Sequence, residues 1–476
     1  MDLSNCRFFA KTPNFSGLPS LERLILENCG SLADIHQSVG ELKKLVFLNL
    51  KGCYGLQNLP ESICELKSLE TMNLQSCPSL KKLPEKLGNM QVLTDLLLDE
   101  TGVQNLPSST GILKKLKKLL VRGSGLGFGL EVQRYRPQAS SFYSRQSRRL
   151  EAQLQRQEAF PSLDSNAFHS KELALKQQPF LPPSFSGLSS LTTLDISNRY
   201  LSNNDISINL GSLSSLQDLN LAGNHFSELP AGTGHLAKLE KLDLSRCLNL
   251  LFISEIPSSL RALVARDCTS LEKVSIQSKT APDLLLGGCG KLAEIQGLES
   301  VENKPVIRME NCNNLSNNSK EILLQVLSKG KLPDVVLPGS DVPHWFMQYQ
   351  RDRSSTKFRI PPLSAGLSPG LIVWTVYAAI EVARCTRPYL NIQIPTCISL
   401  CSASIRKKKD DDELFYTRPY LDISSEHEGE DADHSWVIYI PFSRIQGAIE
   451  GGDELEVSVK PGDNTTVKKC TIVSKL

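Results

Sequence analysis

The sequence predicts an α/β solenoid built on a curved parallel sheet, followed by an all-β sandwich. Three observations lead to this prediction. An apolar pattern recurs along the first part of the chain, it is interrupted over residues 123–183, and short apolar runs separated by turn residues replace it after residue 331. The 476 residues suffice for one long repeat array and one ordinary domain.

The recurring pattern is L-x-x-L-x-L-x-x-C, first complete in LERLILENC from Leu21. The next copies start at Leu45 and Leu69, so the period is 24 residues (45−21 and 69−45). Later copies start at Leu93, Leu116, Leu191, Leu216, Leu239 and Leu260, and degenerate copies end at Cys289 and Cys312. This is the leucine-rich-repeat pattern, and we predict repeats over residues 1–122 and 184–316.

Each repeat is expected to supply one short strand. Its fourth and sixth positions point inward, its third, fifth and seventh positions point outward, and a Cys or Asn at the ninth position bonds to neighbouring backbone in the turn. One repeat cannot cover its own apolar side, so neighbouring repeats stack into one core. The outward positions then form a large concave surface that is free to vary.

The first residues already follow this pattern. Leu3 and Cys6 lie 23 residues before Leu26 and Cys29, which makes them sixth and ninth positions. Met1 is then a fourth position, and no polar capping unit precedes it. We therefore expect either a piece of a longer protein or a truncated gene model.

Composition limits the function classes. The net charge of +2, from 53 basic and 51 acidic residues, argues against a general nucleic-acid binder. The N-terminus lacks the apolar core and cleavage site of a secretory signal, and the run Leu371–Ile380 is too short to span a membrane. Thirteen cysteines, several at one phase of the repeat, indicate reduced thiols in the cytoplasm or nucleus.

The interruption over residues 123–183 is basic and poor in apolar residues, so we expect it to be mostly disordered. Its arginines include Arg134, Arg136, Arg145, Arg148, Arg149 and Arg156. A tolerated insertion between repeats is the favoured interpretation. Contact with nucleic acid or another anionic partner is the alternative.

After the repeats, SKEILLQVLS over Ser319–Ser328 has helical spacing and is expected to cap the last repeat within a linker of residues 317–331. Residues 332–476 contain the runs VVLP, KFRIPP, LIVWTVYAAIEV, YLNIQIP, CISLCSASI, WVIYIPF, ELEVSVK and KKCTIVS. Such runs, punctuated by turn residues, are typical of an antiparallel sandwich. The polar tract 406–434 is expected to be an exposed loop between strands.

The segment LPGSDVPHWFMQYQRDRSSTKFRIPP, from Leu337 to Pro362, closely resembles the start of the C-terminal jelly-roll/Ig-like domain of plant disease resistance proteins. These are the Toll/interleukin-receptor-type, nucleotide-binding, leucine-rich-repeat receptors. The repeats resemble the same family in KTPNFSGLPSLERLILENCGSL, LPPSFSGLSSLTTLDIS, NHFSELPAG and IPSSLRALVARDCTSLE. Apart from the basic insertion, the resemblance covers essentially the whole chain.

The resemblance implies a jelly-roll/Ig-like domain over residues 332–476 and recognition of a pathogen effector or a guarded host protein, with Ser340 and Asp341 among the contacts. In the family, binding relieves autoinhibition, a nucleotide-binding module assembles an oligomer, and an N-terminal domain cleaves NAD. This sequence has no G-x-x-x-x-G-K-[ST] motif. We therefore expect recognition without enzymatic activity, with upstream modules of a full-length receptor as possible partners.

Motifs that could indicate other chemistry are weak. GSGLGFG, from residue 123, fails the spacing of a dinucleotide-binding loop. His427 and His434 lie in a polar acidic loop without regular metal-ligand spacing, and Cys397 and Cys401 supply only two thiols on one face of a strand. No nucleophile motif accompanies the seven histidines, so we predict no catalytic, metal or cofactor site.

The outward positions of the strands are instead the predicted contact residues. They are Arg23, Ile25, Glu27, Phe47, Asn49, Lys51, Thr71, Asn73, Gln75, Asp95, Leu97, Asp99, Lys118, Leu120, Arg122, Asp218, Lys241, Val264 and Arg266. Phe47, Leu97 and Leu120 are apolar yet expected to face water, as in a binding surface. Asp195, Asn220 and Asp243 are expected to be ordinary polar surface residues.

The predicted function is therefore the protein-recognition part of an intracellular immune receptor. A stand-alone adaptor or decoy would have the same surfaces without signalling output. A secreted inhibitor of a cell-wall enzyme would require an upstream signal sequence and glycans at Asn14 or Asn464. An enzyme would have to show turnover of NAD or a nucleotide.

Overall fold

The computed structural model describes most of the repeat region and the strands of the C-terminal region. The described residues are 1–6, 8–123, 180–329, 332, 334–339, 350–351, 355–359, 370–379, 397–399, 401–407, 413–417, 420–422, 433–441, 454–461 and 465–475. They divide into two compact units, the first with residues 1–188 and 204–208 and the second with residues 189–203 and 209–476.

Unit 1 contains a parallel sheet with one three-residue strand from each repeat. Its strands are β1 (Arg23–Ile25), β2 (Phe47–Asn49), β3 (Thr71–Asn73), β4 (Asp95–Leu97) and β5 (Lys118–Leu120). They pair without register shifts, so that equivalent residues lie side by side, as Leu97 does beside Leu120. Residues 1–3 extend the same sheet beside β1 through the pairing of Asp2 with Ile25.

Short 3-10 helices connect most of these strands. Among the described residues such helices are Gln37–Glu41, Glu61–Glu65, Leu87–Asn89, Ser108–Ile112, Pro183–Gly187, Asn203–Asp205, Leu210–Ser212, Thr233–His235 and Leu298–Ser300. At Gly111 a Cβ would lie 2.1 Å from the carbonyl oxygen of Ser184. Glycine therefore permits the connectors Ser108–Ile112 and Pro183–Gly187 to approach closely within unit 1.

The turn after each strand has a fixed construction. The eighth position takes a positive φ, as at Asn28 (58°) and Gly223 (67°). Glycine and asparagine tolerate this left-handed conformation best. The ninth position bonds to the preceding repeat: the Cys53 thiol donates to the carbonyl of Leu26 at 3.1 Å, and the Asn224 carboxamide donates to Ile196 at 3.0 Å. The predicted role of the ninth residue is confirmed at these positions.

Unit 2 contains a second set of parallel repeat strands. They are β6 (Thr193–Asp195), β7 (Asp218–Asn220), β8 (Lys241–Asp243), β10 (Ala262–Val264), β12 (Asp283–Leu285) and β14 (Ile307–Arg308), which are neighbours in that order. A separate three-stranded parallel sheet is formed by β9 (Phe252–Ile253), β11 (Lys273–Ser275) and β13 (Glu294–Gln296).

Two of these additional strands, β9 and β11, occur in the shortest repeats. Cys247, Cys268 and Cys289 are 21 residues apart (268−247 and 289−268), three fewer than Cys53 and Cys77. An extended strand rises about 3.3 Å per residue and a 3-10 helix about 2.0 Å, so a shorter connector spans the same distance when it is extended. The second sheet is the result.

One α-helix, α1 (Asn317–Ser328), follows the repeats. Ser316 caps it, with its hydroxyl oxygen accepting from the amide of Ser319 at 3.2 Å. Leu323, Leu324, Val326 and Leu327 on this helix are buried. This helix lies within the segment for which the sequence predicted one.

The strands that follow are mostly antiparallel. They are β15 (Asp334–Pro338), β16 (Gln350–Arg351), β17 (Ser355–Arg359), β18 (Gly370–Ala379), β19 (Cys397–Ser399), β20 (Cys401–Lys407), β21 (Glu413–Thr417), β22 (Tyr420–Asp422), β23 (Asp433–Pro441), β24 (Glu454–Pro461) and β25 (Thr465–Lys475). Eight of these strands coincide with seven of the eight predicted runs, while YLNIQIP lies outside the described residues. β16, β21 and β22 were not predicted, and the expectation of a loop over 406–434 is wrong where β21 and β22 form. The orders are β15-β23-β18-β25-β16, β17-β24-β20-β21 and β19-β22.

Within unit 2 the repeats and the C-terminal strands share one sheet. β15 pairs in parallel with the last repeat strand β14, so that Ile307 lies beside Val335. The other edge of β15 pairs with β23 in antiparallel orientation. No helix among the described residues is long and apolar enough to cross a membrane.

Candidate functional site

The candidate site is the outward face of the repeat strands, considered separately in each unit. The inward residues Leu24, Leu48, Met72, Leu96 and Leu119 of unit 1 are completely buried. Their strand neighbours on the other face are mostly exposed or half-buried. The alternation predicted from the repeat pattern is therefore present in unit 1, and Leu194, Leu219 and Leu242 show it in unit 2.

Not all of the predicted contact residues are available to a partner. Asn49 and Asp99 in unit 1 and Arg266 in unit 2 are only 8%, 5% and 6% exposed, so the expectation that they face water is wrong. Side chains from adjacent strands cover them. The remaining predicted residues on β1–β5, and Asp218, Lys241 and Val264 in unit 2, are exposed or half-buried.

In the first repeats of unit 1, the outward side chains contact one another. The guanidinium of Arg23 lies over the ring of Phe47, 4.1 Å from its centre, a cation–π arrangement. The carboxylate of Glu27 accepts from the carboxamide of Asn49 at 3.1 Å and lies 3.9 Å from the Lys51 ammonium. Most polar groups of β1 and β2 therefore already have partners within the face.

Asp99 organises the last repeats of unit 1. One carboxylate oxygen accepts from the Gln75 carboxamide at 2.8 Å, and the other accepts from the backbone N–H of Arg122 at 3.0 Å. The guanidinium of Arg122 lies 3.8 Å from the same carboxylate but remains 48% exposed. The Asp99 carboxylate is thus buried, whereas the Arg122 guanidinium faces solvent.

Polar residues at the fifth position have a structural role. The side-chain oxygens of Asn49 and Asn73 accept from the backbone N–H two residues later, both at 3.0 Å. Asp195, Asn220 and Asp243 make the same bond in unit 2, at 2.9 to 3.0 Å. This bond satisfies an N–H where the short strand ends. These three residues are therefore more than ordinary surface residues.

The last repeat of unit 2 has a buried ion pair on its outward face. Arg308 donates to both carboxylate oxygens of Asp334, at 2.7 and 3.3 Å, and the two side chains are 5% and 13% exposed. The indole N–H of Trp436 donates to the same carboxylate at 3.3 Å. These contacts connect β14, β15 and β23 through side chains as well as backbone.

Glu310 lies beside this ion pair, two residues after Arg308. Burial raises the pKa of its carboxyl above the ordinary range, although Arg308 and Arg266 act in the opposite direction. Its Oε1 atom is buried and accepts no hydrogen bond from the described part of the chain. A Cβ at Gly287 would lie 3.0 Å from its other oxygen, so glycine leaves room for this carboxylate.

Leu285, Arg308 and Glu310 belong to the same face, and sequence reasoning missed them. Their repeats lack the leading leucine, so only counting back from Cys289 and Cys312 would have located them. Leu285 lies four residues before Cys289, and Glu310 lies two residues before Cys312.

Several predicted features lie outside the described residues. They include Ser340, Asp341, His427, nearly all of the insertion 123–183, and the side chains of Cys397, Cys401 and His434. Within the described ranges, no cluster of His, Cys, Asp and Glu has a geometry that could hold a metal ion. The nine cysteines described there are free thiols, and eight of them are buried.

No family model matches the chain. Among curated proteins it is similar to TMV resistance protein N of Nicotiana glutinosa, with 30% identity over 289 residues, 55% of this chain and 25% of that protein. It is also similar to disease resistance protein RPS4B of Arabidopsis thaliana, with 31% identity over 28% of this chain and 12% of the relative. The chain thus spans a quarter or less of the length of these relatives.

Solved structures with leucine-rich repeats also align with the chain. A Leptospira interrogans repeat protein is 18% identical with a TM-score of 0.28, over 70% of this chain and 94% of that one. The Arabidopsis receptor kinase HAESA, in complex with the peptide hormone IDA and the co-receptor SERK1, is 20% identical with a TM-score of 0.32, over 71% and 58%. Scores this low add nothing to the evidence from the repeats themselves.

Proposed function

We propose that this chain, a homologue of plant disease resistance proteins that matches their leucine-rich-repeat region, recognises another protein through the outward face of its repeat strands. The recognised protein is a pathogen effector or a host protein that an effector modifies. Recognition, not catalysis, is the activity of this part of the molecule.

The observation that supports the proposal is the contrast between the two sides of each strand. Inward positions are almost all aliphatic and completely buried, whereas the outward third positions of β1–β5 are Arg, Phe, Thr, Asp and Lys. A stable core therefore presents a surface whose composition changes from repeat to repeat. Such a surface suits a protein ligand with its own mixture of charged and apolar groups.

The C-terminal strands belong to the same proposal. We infer that residues 332–476 form the jelly-roll/Ig-like domain implied by the resemblance and that the loop with Ser340 and Asp341 adds to the contact. Nucleotide-binding and Toll/interleukin-receptor-type modules of a full-length receptor would supply the signalling output. The proposed location is the cytoplasm, the nucleus or both.

Site-specific photo-cross-linking tests the proposal. A photoreactive phenylalanine analogue replaces Thr71 on the outward face of β3, or Lys44 on the exposed connector before β2 as the matched control. The chain is expressed in leaf tissue with and without the pathogen. We expect a discrete adduct with one protein from position 71 and none from position 44. Adducts of equal yield from both positions, or none from position 71 and its neighbours, would contradict recognition through this face.

Charge reversal provides the second readout. Lys118→Glu combined with Arg122→Glu should abolish binding to the cross-linked protein in a purified two-component assay, because both cations are exposed on one face. The circular dichroism spectrum and melting temperature should stay close to those of the wild-type chain. Unchanged affinity would place the contact away from β5.

A further inference from the structure

On the outward face of β4 and β5, two leucines at the fifth position lie side by side, an arrangement that β1–β3 lack. We propose that Leu97 and Leu120, with Lys118 and Arg122 beside them, bind an aliphatic side chain of the partner that is flanked by carboxylates. The inference deepens the proposed function and rests on it. It assigns the contact to one part of the face and gives the partner segment a chemical class.

The first argument concerns the fifth position. Where this position is Asn or Asp, its side chain satisfies the N–H two residues later, as Asn49 and Asn73 do. A leucine cannot make this bond. After Leu120 the Asp99 carboxylate takes over this role and accepts from the N–H of Arg122. Leu97 and Leu120 therefore place half-buried apolar side chains where neighbouring repeats have a polar one.

The two leucines are also direct neighbours. Leu97 pairs in register with Leu120, and adjacent strands are about 4.8 Å apart, so their side chains form one continuous apolar patch. Ile25 is the other apolar fifth-position residue in unit 1, but its neighbour in the sheet is Asn49. A patch of two adjacent leucines can hold a whole aliphatic side chain, which a single residue cannot.

Charge specifies the surroundings of that side chain. The side chain of Lys118 is exposed, and its ammonium forms no hydrogen bond or ion pair with the described residues. Arg122 is half exposed, whereas the carboxylate of Asp99 is buried and accepts from Gln75 and from the backbone of Arg122. Asp95, the register partner of Lys118, accepts from the Thr94 hydroxyl at 2.7 Å. The most exposed charges on this part of the face are therefore the two cations, because Asp95 is half-buried and Asp99 is buried.

The equivalent apolar pair in unit 2 lacks this arrangement. Val264 and Leu285 are register partners at fifth positions, but Arg266 beside them is buried. Arg308 on the next strand is likewise buried and bound to Asp334. These two arginines are therefore unavailable to carboxylates of a partner, unlike Arg122 in unit 1.

Selection of peptides on the full chain tests the inference without knowledge of the partner. A phage-displayed library of random dodecapeptides is enriched on the immobilised chain, and the selected peptides are synthesised for fluorescence anisotropy. We expect selected sequences that combine Leu, Ile or Val with Asp or Glu. We also expect them to bind Leu97→Asn/Leu120→Asn at least tenfold more weakly than the wild type.

This double variant introduces the residue that Asn49 and Asn73 already provide in neighbouring repeats, so it should fold and melt at or above the wild-type temperature. The matched control is Thr101→Val, which removes the buried hydrogen bond from the Thr101 hydroxyl to the carbonyl of Leu98 in the same repeat as Leu97, away from the outward face. The control should melt a few degrees lower but bind the selected peptides with wild-type affinity. This crossed outcome separates binding from stability.

Three results would overturn the inference: basic or purely polar selected sequences, no enrichment, or equal affinity for the wild type and the Leu97→Asn/Leu120→Asn variant. Selected peptides that lose affinity for Arg23→Glu/Phe47→Ala instead would place the contact on β1 and β2. The inference would then fail while recognition through the face stands. Affinity unaffected by either variant, together with cross-linking that does not favour position 71, would remove both.

Discussion

The outward faces of β4–β5 in unit 1 and β10–β14 in unit 2 have the same architecture but use charge differently. On β5, Lys118 and Arg122 extend to solvent beside two leucines. On β10 and β14, Arg266 and Arg308 are buried, and Arg308 is bound to Asp334 of the next strand. The first region therefore has exposed cations. In the second region, the ion pair of Arg308 with Asp334 attaches the C-terminal strands to the repeats.

Position within the repeat therefore determines which way a side chain points, but it does not determine whether that side chain is accessible to solvent. Arg122 and Arg266 occupy the same seventh position, yet one is exposed and the other is buried. Accessibility depends on the neighbouring side chains, which for Arg308 on β14 include Asp334 on β15. The contrast supports the proposed recognition on β4–β5 and gives Arg308 a role in attaching the C-terminal strands.

The largest expected effect comes from exchanging inward and outward positions. Leu96→Asp in unit 1 or Leu242→Asp in unit 2 should reduce the free energy of unfolding by at least about 3 kcal/mol, because each buries an unpaired charge. Leu97→Asp, one residue away on the outward face, should change it by less than about 1 kcal/mol. Urea unfolding monitored by circular dichroism measures both, and equal losses would refute the assigned strand orientation.

Breaking the buried ion pair of unit 2 should reduce the free energy of unfolding by a comparable amount. Asp334→Ala leaves Arg308 buried without its partner, which we expect to reduce the unfolding free energy by about 3–5 kcal/mol. The control is Glu302→Ala, which removes the exposed ion pair with Lys279 in the same unit and should lose at most about 1 kcal/mol. A loss at Asp334 no larger than at Glu302 would mean that this junction contributes little to stability.

Substitution of Glu310 should change the free energy of unfolding least, and the size of this change should depend on pH. Because burial raises its pKa, the folded state binds a proton at a higher pH than the unfolded state does. The unfolding free energy should therefore rise as pH falls through the raised pKa, and it should level off below the ordinary value for glutamate.

Glu310→Gln should remove this dependence and increase stability at pH 7 by an amount of the order of 1 kcal/mol. Thermal melts of both proteins between pH 4 and 8 would test this expectation. Glu321→Gln, at an exposed position of α1 in the same unit, serves as the control. If the wild type and Glu310→Gln changed in parallel with pH, the carboxyl would not be the responsible group.

The repeats could be predicted because every strand has its own inward leucines, and Leu48 or Leu219 follows from local spacing alone. The positions of the outward residues followed from the same alternation. The burial of Asn49, Asp99 and Arg266 could not be predicted, because it depends on which side chains lie on the adjacent strands. Asn73 and Asp243 accept hydrogen bonds from the backbone N–H two residues later. Any residue type other than proline can follow at that position, so the sequence of a single repeat does not reveal these bonds.

The arrangement of the C-terminal part was only partly predictable. Most of its strands follow from alternating or apolar runs, such as the one that forms β18. The pairing of Val335 with Ile307 joins segments that the sequence presents as the end of one region and the start of another. The extended connectors β9 and β11 follow from the shorter repeats, but only once the distance that each connector must span is known.

The stacked thiols at the ninth position have a consequence for chemical reactivity. Burial raises the pKa of Cys53 to about 12 and that of Cys77 to about 11. Since the thiolate is the form that reacts with alkylating and oxidising agents, these cysteines remain protonated and inert at physiological pH. Cys6 is the exposed exception among the described cysteines. Among these described thiols an alkylating reagent would therefore label Cys6 first in the folded protein, so labelling of the buried ones would report the opening of individual repeats.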